Sequence, residues 1–255
     1  MARELRVNYI GGPTALVEIA GWRFLTDPTF DPGGTEYPTA AYTLRKTQSP
    51  AVAVGDLGSI DAVLLSHDHH FDNLDNAGRR LLADVPVTYT TIAGAERLGG
   101  GARGLASWAS TSHPSSSSGV VTVTAVPARH GPAGGDRGPV LGFVVEGEGR
   151  RVYFSGDTVW FDGIEEITRR FRPDVALLNL GAAMVAAAGP HHLTFTAAEG
   201  VELARRWPAT PIVPLHFEGW QHFTEGRADI ENAFRAAGLE KRVRWLTPGT
   251  AGTFE

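Results

Sequence analysis

Short apolar runs rich in β-branched and aromatic residues recur along the chain: LRVNYI, ALVEIA, WRFLTD, AVLLS, VTYT, VVTVTAVPA, GFVVEG, RVYFSG, VALLNL, PIVPLH and RVRWL. Their length and their Gly, Pro or Asp boundaries predict strands. Elsewhere the apolar spacing lengthens to a helical period, in NLDNAGRRLLADV, AGAERLG, GIEEITRRF, TAAEGVELARRW and ADIENAFRAAG. Thr196 with Glu199, and Asp162 with Glu165, have the separation of a capping box, which gives two helix starts a mechanism. The pattern predicts an α+β chain in which strands outnumber helices. Surface loops are expected at Gly99 to Gly101 and at Ser115 to Ser118.

Length and charge narrow the function. A chain of 255 residues buries about 70–75% of its unfolded surface, enough for one core without staples, so residues 1–255 are expected to form one domain. The net charge is −5 and no Lys/Arg-rich block occurs, so nucleic acid is not an expected partner. The chain has no cysteine, which excludes disulfides, iron–sulfur clusters, thiolate zinc sites and cysteine nucleophiles. Any transition metal must then use His, Asp, Glu or water. A serine hydrolase is not expected, since no Gly-x-Ser-x-Gly elbow is present. MARELRVNYIGG lacks a signal-peptide apolar core, and no window holds the roughly 20 apolar residues of a membrane span. The expectation is a cytoplasmic protein acting on a small molecule.

Candidate chemistry gathers at strand ends. AVLLS runs into His67, AVPA and Arg129 into His130, VYFSG into Asp157, and IVPL into His216. Rigid strands that each deliver one metal-capable side chain can converge at one edge of a sheet. The stretch SHDHHFDNLD is the densest point. Helix capping accounts for Asp72 and Asn73 there, but not for His67, His69 and His70 just before them. His113, in SHPSSSS, lacks such company and is read as a surface or structural histidine.

In order, SHDHHFDN, ARHGP, SGDT and PLHFEGW resemble the metallo-β-lactamase-fold hydrolases, nearer to the branch with ascorbate-6-phosphate lactonase-like proteins; FLTDP is similar to the strand and turn that open this branch. The likeness spans nearly the whole chain. It implies a four-layer αββα sandwich and a divalent metal, zinc foremost with manganese or iron admissible, as one or two ions. The ligand set it implies is His67, His69, His70, Asp72, His130, Asp157 and His216. The first loop holds one residue more than the family's His-x-His-x-Asp-His: aligned from the left, His67 and His69 form the pair; aligned from the right, His70 and Asp72 fall into place while Asp68 takes the first His position. His67 and His70 are favoured, with His69 contested. Asn73 stands where the motif ends in His, and an amide oxygen binds zinc weakly, so the second metal position is expected to be the looser.

The resemblance also implies the chemistry. Hydroxide made on the divalent ion attacks a lactone, ester, amide or phosphodiester; Asp72 orients it, and Asp157 binds the metal and can bridge to a second ion. His191, His192 and Trp220, with Trp160 and His222, are expected to line the substrate mouth. The other reading is a metal-binding or ligand-sensing protein on the same fold without turnover, favoured by the altered first loop.

Overall fold

Alternation along the first strands sets the layering. In Leu5–Gly11, the side chains of Leu5, Val7 and Tyr9 enter one core and Ile10 another; in Thr14–Ile19, Ala15, Val17 and Ile19 enter the first and Leu16 the second. Phe24 and Leu25 divide in the same way, as do Ala62 and Leu64 from Val63 and Leu65. Successive side chains on a strand face opposite ways, so this sheet is covered on both sides. The structure is a computed structural model and describes residues 4–115, 119–134 and 137–255, so the loop expected at 115 to 118 lies mostly outside the described residues.

Among the described residues, one sheet has seven strands in the spatial order Ala251–Phe254, Leu5–Gly11, Thr14–Ile19, Trp22–Thr26, Ala62–Leu64, Thr88–Thr91, Ala102–Leu105. The other has six, in the order Ile212–Leu215, Val175–Asn179, Arg150–Phe154, Leu141–Gly147, Val120–Pro127, Ser110–Pro114. The larger core lies between them, with Phe24 and Tyr9 from the first sheet meeting Phe143, Phe154 and Leu177 of the second. Leu74, Leu81 and Val85, in and around helix Asn76–Leu81, cover the outer face of the first sheet. Helices Asp162–Arg170, Ala197–Arg206 and Arg227–Ala236 bring Ile164, Ile167, Leu203, Ile230 and Phe234 against the second. The result is the expected four-layer αββα sandwich. Among the described residues, no helix is long and apolar enough to cross a membrane.

Two local expectations are corrected. RVRWL forms no strand: Val243 makes one isolated bridge to Ile212, and Arg242 instead turns its guanidinium onto the carbonyls of Trp207, Pro208 and Thr210. Asp162 does not cap its helix but lies inside it, and the N-cap is Phe161, with no side-chain bond. The preceding residues are held extended on Arg129, through Val159 N to Arg129 O at 2.9 Å and Arg129 Nη2 to Trp160 O at 3.1 Å, so the helix begins a residue earlier than the motif suggests. The Thr196–Glu199 capping box is present in full.

Parallel pairing puts the chemistry at one end. Trp22–Thr26 runs parallel to Ala62–Leu64, and Arg150–Phe154, Val175–Asn179 and Ile212–Leu215 run parallel to one another. Within each set the C-terminal ends share an edge, where Asp27 and His67, then Asp157, Asn179 and His216, emerge. Helix Asn76–Leu81 seats tightly against this edge: a Cβ on Gly78 would lie 1.8 Å from Pro28 O. Gly78→Ala is expected to destabilise the fold by about 1–3 kcal/mol or more through overpacking, read as a lowered midpoint in thermal or urea denaturation.

Candidate metal centre

The strand Ala62–Leu64 ends in Leu65 and Ser66, and Ser66 anchors the histidine loop at its start. Its backbone N–H donates to Asp27 Oδ1 at 2.6 Å and its hydroxyl to Asp27 Oδ2 at 2.7 Å. With its proton directed to Asp27, the Ser66 oxygen is left to accept from His67 Nδ1 at 2.9 Å. That leaves the His67 Nε2 lone pair free. His130 is oriented likewise: its Nδ1–H donates to the carbonyl of Leu193 at 2.8 Å, leaving Nε2 as the bare nitrogen. Both Nε2 atoms face His70 Nδ1, at 3.0 Å from His67 and 3.1 Å from His130. A single ring N–H on His70 can satisfy only one of them. Such nitrogens could hold a cation, since the outer hydrogen bonds select the tautomer that a metal ligand needs.

Asp157 closes this group. Its Oδ2 lies 3.8 Å from His130 Nε2, is buried and has no hydrogen-bond partner. Its Oδ1 accepts from Asn179 Nδ2 at 2.7 Å and from His216 Nδ1 at 2.9 Å. The SGDT turn reaches His67 because Gly156, at φ 57°, lies where a Cβ would be 2.5 Å from Leu141 O and 2.7 Å from Ser66 Cβ. His216 Nε2 then faces Asp72 Oδ2 at 3.5 Å, and His222 Nε2 approaches the same oxygen at 2.9 Å. Among the described residues, three sets hold their ligand atoms within 4.8 Å: His67, His69 and His70; His67, His130 and Asp157; Asp72, His216 and His222. Asp157 spans the last two.

The backbone is strained at two of these positions. His216 has φ 51° and Asp27 has φ 25°, in the left-handed region that non-glycine residues rarely adopt. Such strain persists where the surroundings over-determine it, and it clusters at functional sites. The turn at His216 is held by its N–H on Gly12 O at 2.7 Å.

Charge is divided between the groups. Burial, reinforced by neighbouring imidazoles, holds His67 and His130 below the usual histidine range and pushes His70 down to about 3. Burial thus favours the neutral form in all three, the form in which an imidazole can bind a metal. Burial also works against a charge on His216, but Asp157 and Asp72 outweigh it and carry it up to about 10. Burial would raise Asp72 and Asp157, yet the facing histidines hold both below the carboxylate range. Asp27 is pushed by burial up to about 7 against the bonds donated by Asn73 and Ser66.

Other expected residues lie at varying distances from this centre. His69 turns its Nε2 to the carbonyl of Arg137 at 2.8 Å, and Asp68 is forked by Arg97. His192 faces Glu199 at 3.3 Å, His191 is exposed, and Trp220 is buried against Tyr37 with Lys46 Nζ 5.4 Å from its ring centroid. Trp160 N donates to Glu199 at 3.0 Å. His113 bonds the Tyr89 hydroxyl from the edge strand Ser110–Pro114, a structural position. Asp27, Asn179 and the approach of His222 to Asp72 are the features that sequence reasoning passed over. The first two end apolar strands, FLTD and VALLN, and a polar residue at a buried strand end was their signal.

The protonation pattern sets a pH response for the metal-free protein. Unfolded histidines gain protons near pH 6.5, whereas His67, His70 and His130 in the fold do not until well below it, so stability falls as pH drops from about 6.5 toward 3. His216 acts in reverse: its contribution is full below about pH 6.5 and is lost as pH rises toward 10. Chelator-stripped protein is expected to show its highest melting temperature near pH 6.5, and His216→Asn to flatten the alkaline limb.

Comparison with known proteins gives the family. The β-lactamase superfamily domain matches residues 22–217. The chain is 30% identical over 204 residues to a UPF0173 metal-dependent hydrolase of Pyrococcus abyssi, covering 76% of this chain and 81% of that one. It is 25% identical to the UPF0173 protein YddR of Bacillus subtilis, over 98% of this chain and all of its relative. It spans 50% of the length of the mycobacterial relatives it matches. Among solved structures, an isothiocyanate hydrolase from Delia radicum gut bacteria superposes with a TM-score of 0.83 at 23% identity, over 98% of this chain and 99% of that one, a likeness of fold. A matched domain that covers most of the chain, and a relative this close over most of its length, place the protein in the β-lactamase superfamily, among its metal-dependent hydrolases.

Proposed function

We propose that this chain hydrolyses a small-molecule lactone, ester, amide or phosphodiester with a divalent ion held by His67, His70, His130 and Asp157, and that residues 1–255 act as one catalytic domain. The observation that carries this reading is the meeting of the His67 and His130 Nε2 lone pairs on His70 Nδ1, at 3.0 and 3.1 Å, with the other nitrogens of His67 and His130 already bonded. Imidazole and carboxylate donors without sulfur suit zinc, and also manganese or iron. A divalent ion in such a cage supplies Lewis acidity and lowers the pKa of a coordinated water toward about 7.

The chain's own residues supply the rest. Asp72, held ionised by its two facing histidines, accepts a hydrogen bond from the attacking water and orients it. Asn179 and His216 hold Asp157 so that its free Oδ2 faces the His67–His130 group. A cleft of about 460 Å³ lined by Tyr42, Leu44, Met184, Val185, Gln221 and His222 opens beside Asp72 and suits a small organic substrate. A larger cleft, of about 600 Å³, is bordered by Thr91, Glu96, Ser107 and Arg129 and carries none of the clustered imidazoles, so the smaller one is the substrate site in this reading. The FLTDP turn, with Asp27 anchoring Ser66, supports placing the chain beside the ascorbate-6-phosphate lactonase-like proteins.

Protein reloaded with zinc, manganese or iron is expected to turn over at least one member of a panel of lactones, esters, amides, phosphodiesters and isothiocyanates. His130→Ala is expected to lose bound metal and turnover together. Ser66→Ala, which removes only the hydroxyl behind His67, is expected to weaken metal affinity roughly 10–100-fold with an unchanged circular dichroism spectrum. Metal held stoichiometrically without turnover of any panel member would favour a ligand-sensing protein, and failure to retain metal would remove the reading.

A further inference from the structure

Asn73, where the motif ends, offers no imidazole. Its Nδ2 donates to Asp27 Oδ2 at 2.9 Å, inside the hydrogen-bond shell behind His67, and its Oδ1 is buried without a hydrogen-bond partner. Asp72 nevertheless faces two imidazoles. One is His216, whose Nδ1 is committed to Asp157 Oδ1 at 2.9 Å and whose Nε2 is buried without a partner. The other is His222, which comes from the loop after strand Ile212–Leu215, well beyond the histidine cluster of the first loop.

His222 is built into its place. Its carbonyl accepts from Met184 N at 2.9 Å, its ring lies 4.7 Å from that of Phe223 and 6.3 Å from that of His216, and its side chain is 10% exposed. Nε2 sits 2.9 Å from Asp72 Oδ2, and the ligand atoms of Asp72, His216 and His222 all lie within 4.8 Å. His216 Nε2 lies 3.5 Å from Asp72 Oδ2 and has no hydrogen-bond partner, and the ion pair of Asp72 with His222 does not supply one. A divalent ion among Asp72, His216 and His222 would take the place of the Nε2 proton and give the three groups a common partner.

We infer that His222 is a metal ligand that takes over from the missing histidine at position 73, so that Asp72, His216 and His222 hold a second divalent ion beside the first, with Asp157 between the two. The inference rests on the metal-dependent reading above and adds a ligand that the sequence motif does not contain. It also changes the expected occupancy from one firmly held ion to two.

The test is metal stoichiometry. Wild-type protein, stripped and then dialysed against zinc, is expected to retain two equivalents by elemental analysis. His222→Ala is expected to retain one, with an unaltered circular dichroism spectrum. Diffraction at the zinc edge on wild-type crystals, which does not depend on any variant folding, is expected to put an ion in coordinating distance of His222 Nε2. Two equivalents kept by His222→Ala, or an edge map with no ion at His222, would each overturn the inference while leaving the first site standing. Wild-type protein that binds no zinc at all would overturn the metal-dependent reading itself, and this one with it.

Discussion

Burying lone pairs against one another is the constraint around which the rest of the molecule is arranged. An unsatisfied buried polar group costs about 1–3 kcal/mol, and this site holds several: Asp157 Oδ2, His216 Nε2 and His222 Nδ1 have no partner, and the His67 and His130 nitrogens share a single neighbour. A fold tolerates such a cluster only if the scaffold prevents relaxation. Here the scaffold is two parallel strand sets whose ends share an edge, each packed by an apolar core. The strained backbone at His216 and Asp27 lies at that edge, where neighbouring strands leave the chain no other path.

Stability and chemistry are divided between layers. The core between the sheets is apolar, from Phe24 to Phe143 and Leu177, and carries no site residue. Polar anchoring begins at or just past the strand ends, in a shell of Asp27, Ser66 and Asn179 that contacts the central histidines and carboxylates. Asp27 gathers Ser66 N, Ser66 Oγ and Asn73 Nδ2, so the tautomer of His67 is decided through Ser66 by a residue on a different strand. Orientation of a ligand by its outer partner is what makes a cluster of imidazoles selective for a cation over a proton.

Much of this was legible in the chain. Period-two apolar runs exposed the strands that carry the site, and a metal-capable residue at the end of each marked the edge where they meet. The less visible strands were the short or peripheral ones, Glu36–Pro38, Thr43–Arg45, Ala102–Leu105, Ser110–Pro114 and Ala251–Phe254, whose exposed alternate residues leave little apolar contrast. RVRWL shows the opposite failure: its alternation is strand-like, but its arginine is drawn to the carbonyls of a neighbouring helix end. Within the site, the family resemblance favoured His67 and His70, while the approach of His222 to Asp72 depends on a loop path that local sequence does not encode. His191, His192 and Trp220 show the same limit, since proximity along the chain says little about which ring turns toward the cluster.

The carbonyl that fixes the tautomer of His130 belongs to Leu193, in a stretch whose neighbours Met184 and Val185 line the cleft beside His222. Leu193 N also donates to Ala183 O at 2.8 Å, so this stretch is tied back onto itself as one piece. A molecule that displaces it on entering the cleft perturbs the hydrogen bond behind an imidazole, and by reciprocity the grip on the ion biases where the stretch rests. With an ion held there, occupancy of the cleft and affinity for that ion would be thermodynamically linked through one backbone oxygen.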